Sequence, residues 1–314
     1  MSHICHRVLS HCRSSHKLAK LLTCHQFPCS GQIVPRAMSS QTQYQFQTLK
    51  VSQVKDYVSQ VELNRPEKRN AMNQIFWGEM VECFNQLSAD PECRVVVLTG
   101  AGPVFTAGLD LSDLNSVVPR EDDIARNAMV IRRHVKQMQE SFNVIEKCPK
   151  PVIAAIHGPC VGGGVDMVTA CDIRYCTRDA WFQIKEVDIG IAADLGTLQR
   201  FPKVVGNDSL VRELAFTARK LMADEAKQCG LVSLLFPSKE SLLAGALETA
   251  TIIASKSPVA VQGSKVAMVF ARDNSVQNSL EQVAMWNQGM LLSEDVIKAV
   301  TGQMQKETPV FSKL

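Results

Sequence analysis

Acidic residues are missing from the first 55 positions of this 314-residue chain, the first being Asp56. Residues 1–40 hold five basic residues instead, Arg7, Arg13, Lys17, Lys20 and Arg36, and are rich in Ser and His. Such a segment reads as a mitochondrial presequence, a positive amphipathic helix drawn to anionic membrane surfaces. The alternative is a tail with no address. Setting it aside leaves 29 Lys and Arg against 31 Asp and Glu, so the formal +3 of the whole chain becomes −2 for the body. A body of that charge with only three Trp and three Tyr is a poor nucleic-acid binder.

Other absences exclude further classes. No apolar run approaches the ~18 residues a membrane helix needs, so no span is expected. Of the eleven cysteines, four lie in residues 1–40, and the other seven form no Cys-x-x-Cys pair. That argues against a zinc site and against a disulfide framework, and it fits thiols in a reducing compartment. No Gly-Lys-Ser/Thr follows Gly162-Gly163-Gly164, so there is no phosphate loop. In the run 100–105, Phe105 stands where a dinucleotide fold needs its third glycine. Neither Ser nor Cys sits in a nucleophile elbow, and His134 and His157 are isolated histidines of the structural kind.

What remains is ordinary globular composition, 46% hydrophobic and 21% charged. Residues 44–63 read as two strands. A helix is expected over Ala71–Leu87, capped by Asn70, with Ile75, Met80, Val81 and Phe84 on its apolar face. The runs 94–98 and 152–156 are short, apolar and closed by glycine turns, as strands buried on both faces are. One long helix is expected over 121–147, strands over 173–175 and 181–186, and helices over 165–171, 195–201, 207–218 and 223–228. Residues 240–310 read as helical, and the last three, Ser312-Lys313-Leu314, match a peroxisomal address.

The chemistry-bearing residues cluster after the two buried strands. Three consecutive glycines suit a backbone that approaches something closely, or simply tight helix–strand packing. Small residues around Ala107 could leave a second N–H free, though a plain turn explains them as well. Asp166 stands in the first turn after the glycines, where an acid favours the helix dipole. Glu186 shares an alternating face with Phe182 and Ile184, so its carboxyl is expected against apolar surface with raised proton affinity. Asp194 lies in a small, apolar stretch as either a helix cap or a site residue.

The segments Leu63-Asn-Arg-Pro-Glu-Lys-Arg-Asn-Ala-Met-Asn73, Phe105-Thr-Ala-Gly-Leu-Asp110 and Gly162-Gly-Gly-Val-Asp166 resemble, in order, the motifs of the enoyl-CoA hydratase/isomerase (crotonase) superfamily. The resemblance spans about residues 48–314. It implies an α/β fold, a spiral of ββα repeats over 41–240, with a C-terminal helical trimerisation region over 241–314. It also implies a homo-oligomer (a trimer or a dimer of trimers) and an acyl-CoA ligand. The thioester oxygen would sit between the N–H groups of Ala107 and Gly163, with Gly108, Leu109, Asp110 and Leu111 along the substrate. Hydratases of the family carry glutamate at both catalytic positions, whereas here these are Asp166 and Glu186, and a third acid, Asp194, joins them. That set implies migration of two conjugated double bonds rather than hydration: a proton leaves C2 near Glu186, another arrives at C6 near Asp194, and Asp166 tunes the pair. No metal or cofactor is called for. A hydratase and a non-catalytic acyl-CoA- or RNA-binding member are the alternatives. Import receptors for both addresses, and residence in the mitochondrial matrix and the peroxisome, are the remaining expectations.

Overall fold

The computed structural model describes residues 44–113 and 123–314. The presequence reading of 1–40 lies outside them, as do residues 121 and 122 of the expected long helix. Strands β1 (Leu49–Lys55) and β2 (Val58–Leu63) form an antiparallel hairpin turning at Tyr57. The sheet then continues in parallel through β3 (Val95–Gly100), β4 (Val152–Ile156), β6 (Ile173–Thr177) and β9 (Leu234–Phe236). A second sheet joins β5 (Pro159–Val161), β7 (Trp181–Gln183) and β8 (Leu221–Met222). β5, β8 and β9 are two or three residues long, too short to show alternation in the sequence.

Every residue of β3 and β4 is buried, because both faces of the large sheet are covered. Val95, Val97, Ile153 and Ala155 point to one side, where helix α7 (Lys239–Ala254) lays Leu242, Ala246 and Ala250 on them. Val96, Leu98, Val152, Ala154 and Ile156 point to the other. There they meet α1 (Gln74–Ala89) and α2 (Ile124–Lys147), through Phe84, Leu87, Phe142 and Ile145. Between these elements run α3 (Gly163–Thr169), α4 (Thr197–Val205), α5 (Asp208–Thr217) and α6 (Ala223–Gln228). The domain boundary expected at residue 240 thus falls inside the first turn of α7, a helix that forms one layer of the sheet's packing. The helices beyond it, α8 (Pro258–Ala271), α9 (Val276–Met290) and α10 (Glu294–Gln305), expose much apolar surface; α9 fully buries none of its residues.

Two local expectations change. α1 starts at Gln74, and Asn73 caps it by accepting from the Phe76 N–H at 3.1 Å. Its buried face is Phe76, Trp77, Met80, Cys83, Phe84 and Leu87, a stripe at i, i+3, i+4 spacing; Ile75 lies off it and is 42% exposed. Asn70, expected as the cap, is a loop hub in the left-handed region at φ 55. Its amide nitrogen donates to the carbonyls of Ala101, Val104 and Phe105 at 2.8, 3.0 and 3.1 Å, and its oxygen accepts from the Arg65 N–H at 3.0 Å. Arg94 ties down the end of the chain in a similar way. It stacks on Tyr57 at 4.0 Å and donates to the carbonyls of Ala254, Phe311 and Ser312.

Seven free cysteines lie among the described residues, and six of them are buried. Burial pushes the Cys93 thiol up to about 11, those of Cys171 and Cys176 to about 12, and those of Cys83 and Cys160 well above the ordinary thiol value.

The two asparagines separate in a denaturant titration. Asn70→Ala strands several buried carbonyls and should lower unfolding free energy by about 2–4 kcal/mol. Asn73→Ala loses one cap, worth about 1 kcal/mol. Equal midpoint shifts in urea would refute the hub.

Candidate active site

The loop after β3 and the loop after β4 lie side by side, bridged between Thr106 and Cys160. The glycines make this approach possible. Gly162 takes φ +53, where side chains other than glycine are strained. At Gly164 a Cβ would lie 2.5 Å from Thr106 Cγ2, so that position packs one loop on the other. Both readings of the triple glycine hold, a special turn and tight packing. Gly163, first residue of α3, keeps its N–H without a partner among the described residues.

Ala107, expected to hold its N–H free, does not. That N–H donates to the Arg69 carbonyl at 2.9 Å, because Arg69 sits in a left-handed turn (φ 52) that points its carbonyl at the loop. Gly108 N–H is engaged by Thr106 Oγ1 at 3.1 Å. Ala107, Gly108, Leu109, Leu111 and Gly163 line a cavity of about 310 Å3, together with Glu186 and Asp194. Asp110 is not on its wall. The Asp110 carboxylate pairs with the Arg65 guanidinium at 3.0 Å and accepts from the Ser112 hydroxyl at 2.6 Å, partners that hold its pKa below the ordinary value. Its place in the expected substrate-contacting run is therefore structural: it pins the loop.

The acids arrive by three routes. β7 ends at Gln183, so Glu186 is not on a strand, and the alternating-face account of it fails. It opens a 3-10 turn, Glu186–Ile189, which lays its carboxylate over Gly162; a Cβ on that glycine would be 3.2 Å from Glu186 Oε1. Glu186 Oε2 is buried with no hydrogen bond. Burial raises its pKa, and the charge of Asp194 adds to the rise. Asp194 is not a cap, since α4 begins three residues later behind Gly196. It lines the cavity from an irregular stretch as an exposed residue, with its pKa raised by partial burial of the carboxyl. Asp166 is only 1% exposed and lies behind the wall. Its Oδ1 accepts from the Thr197 N–H at 2.6 Å, while Oδ2 has no partner. Burial, then the charges of Glu186 and Asp194, push it up to about 7. All three carboxyls thus hold their protons to higher pH than free acids do, Asp166 to about 7.

The rest of the wall is mostly apolar, with Gln74, Asp113 and Lys185 as its polar members. Met72 and Trp77 face Ile131, Val135 and Met138 of α2, and Ile189 and Ile191 close one side. The α2 residues carried a signal, an apolar 131–135–138 stripe in a highly charged helix, that the sequence reading left without a face. His157 stays outside the cavity. It contacts the Gly102 carbonyl at 3.1 Å, and burial lowers it to about 4, so the ring is neutral.

Comparison with known proteins gives the family of the chain. Residues 53–313 match the family model described as enoyl-CoA hydratase/isomerase. The chain is 57% identical over 283 residues to the human mitochondrial delta(3,5)-delta(2,4)-dienoyl-CoA isomerase, covering 88% of this chain and 86% of that one. It is 48% identical to the peroxisomal delta(3,5)-delta(2,4)-dienoyl-CoA isomerase of Arabidopsis thaliana, over 80% and 91% of the two chains. Among solved structures, an enoyl-CoA hydratase from Bacillus anthracis superposes with a TM-score of 0.77 at 29% identity, covering 85% of this chain and 99% of that one.

Asp166 makes stability depend on pH in a definite direction. Folding raises its pKa from 3.8 to about 7, so the folded chain holds an extra proton between those values. The stabilisation is complete below the lower value, falls as pH rises through the window, and is lost above the upper one. Asp166→Asn keeps the acceptor for Thr197 and removes the charge. It should gain roughly 1–4 kcal/mol over wild type at pH 8. Near pH 4 the gain should vanish, as read by thermal midpoints at both values. A pH-independent difference would contradict the buried, raised carboxyl.

Proposed function

The chain belongs to the enoyl-CoA hydratase/isomerase family, and within it we propose that this enzyme converts a 3,5-dienoyl-CoA into the 2,4-dienoyl-CoA. The supporting observation is that Glu186 and Asp194 share one apolar cavity with the open N–H of Gly163. C2 and C6 of such a substrate are four bonds apart, too far for one carboxylate to serve both. Two carboxyls along one cavity can.

Glu186 takes the C2 proton. The electron pair spreads over the conjugated system, placing negative charge on the thioester oxygen and at C6. Gly163 N–H donates to that oxygen. Ala107 N–H joins it by exchanging the Arg69 carbonyl for the oxyanion; one such donor is worth roughly 3–4 kcal/mol in the transition state. Asp194, protonated at the start, gives its proton to C6. One proton has left and one has arrived, and the double bonds have moved from 3,5 to 2,4. Glu186 ends protonated and Asp194 ionised, and the raised proton affinity of all three acids lets the proton return for the next turnover. Asp166 acts from behind the wall, by its charge and by its hold on Thr197.

Hydration is the competing reading, and the likeness to a hydratase at 29% identity is the weaker one. The names of the human and plant relatives support work in both mitochondria and peroxisomes. Self-association into a trimer, or a dimer of trimers, is supported by the exposed Met268, Leu280, Met285 and Ile297 on α8, α9 and α10.

Glu186→Gln and Asp194→Asn should each lower kcat on a 3,5-dienoyl-CoA by at least about 100-fold, followed by absorbance of the conjugated 2,4-dienoyl product. Near-wild-type turnover by either variant would end the two-carboxylate scheme. Brisk water addition to a 2-enoyl-CoA would favour the hydratase. Sedimentation of the purified chain at monomer mass would reject self-association.

A further inference from the structure

Of the three acids, Asp194 is held least directly. Asp166 is fixed through Oδ1 and Glu186 lies over Gly162, but the Asp194 carboxyl has no hydrogen bond to another residue among those described. Its neighbours from Ile191 to Gly196 form no helix or strand. Something outside the segment must fix its aim. α2 supplies a polar stripe for this, with Gln139, Asn143 and Glu146 at i, i+4 and i+7 on one side of the helix. Gln139 Nε2 donates to the main-chain carbonyl of Asp194 at 2.7 Å. Farther along, buried Arg200 returns from α4 to Asn143 Oδ1 at 2.5 Å and to Glu146 Oε2 at 3.3 Å. The guanidinium presses on Gly196, where a Cβ would come within 1.9 Å of it. The segment is therefore clamped after Asp194 by Arg200 and Thr197, and at Asp194 itself by Gln139.

We infer that Gln139 is a positioning residue for Asp194: its side-chain amide holds the Asp194 main chain so that the carboxyl faces the far end of the conjugated system. This rests on the two-carboxylate reading above. Gln139 is not part of the cavity wall, so it acts through Asp194 and not by touching substrate.

The test is a double-mutant cycle on the full-length protein with a 3,5-dienoyl-CoA. Gln139→Leu removes the donor at similar length, and Gln139→Met repeats the test should the first variant fold poorly. The expected result is a fall in kcat of about 10- to 100-fold, the scale of a misplaced catalytic group, with KM changed less than about twofold. In an Asp194→Asn background, the same change should cost less than about twofold, because the group being aimed is already disabled. Wild-type kcat in Gln139→Leu overturns the inference, and so do equal losses in the two backgrounds or a loss confined to KM. The parent reading fails by a separate result, full turnover of Asp194→Asn alone, and the inference falls with it.

Discussion

Asp166 Oδ1 rests on the Thr197 N–H, Oδ2 rests on nothing, and solvent reaches neither. An ionised carboxylate in such a place is costly, and the chain meets the cost by letting the group keep a proton to higher pH. The contact joins two parts of the site that are distant in sequence. Asp166 belongs to α3, whose start is the glycine turn bearing the open amide. Thr197 begins α4, and the residues just before it carry Asp194. Glu186 completes the set from the opposite side of Gly162. That buried bond ties the turn bearing the open amide to the segment that carries Asp194.

The large sheet places these parts. Its parallel strands deliver their carboxyl ends to one edge, where ligands of α/β sheets commonly bind. The loop after β3 brings Ala107, and the segment after β4 brings Gly163. Each half of the proposed oxyanion site is thus a strand followed by a glycine turn, and Asn70 braces the first half by gathering three carbonyls of the loop. Both faces of the sheet are sealed by helices, so the loops are supported from beneath by a dry core.

The buried strands, the glycine turn and the identity of the three acids were legible in the sequence because each leaves a local mark: a Val-rich run, three glycines, a carboxylate among apolar neighbours. The errors concern partners distant in sequence. Ala107 N–H belongs to Arg69 and the Asp110 carboxylate to Arg65, and neither pairing has a periodic signature. Glu186 was set against apolar surface by the alternation of a strand that stops three residues earlier; the 3-10 turn that actually places it is too short to announce itself. Asn70 and Asn73 are equally good caps on paper, and tertiary demand for a loop hub separates them. The polar stripe of α2 was hidden for another reason. Gln139 bonds to a main-chain atom, so its partner could have been any residue.

The state of the thiols has a consequence for survival under oxidants. Peroxide attacks the thiolate, not the thiol. With Cys83, Cys93, Cys160, Cys171 and Cys176 buried and pushed far above neutrality, the interior offers almost no nucleophilic sulfur. Among the described residues only Cys229 is partly open to solvent, and its thiol is raised as well. Of the described thiols, then, the one within reach of an oxidant sits at the end of α6, on a side chain the proposed proton relay does not use.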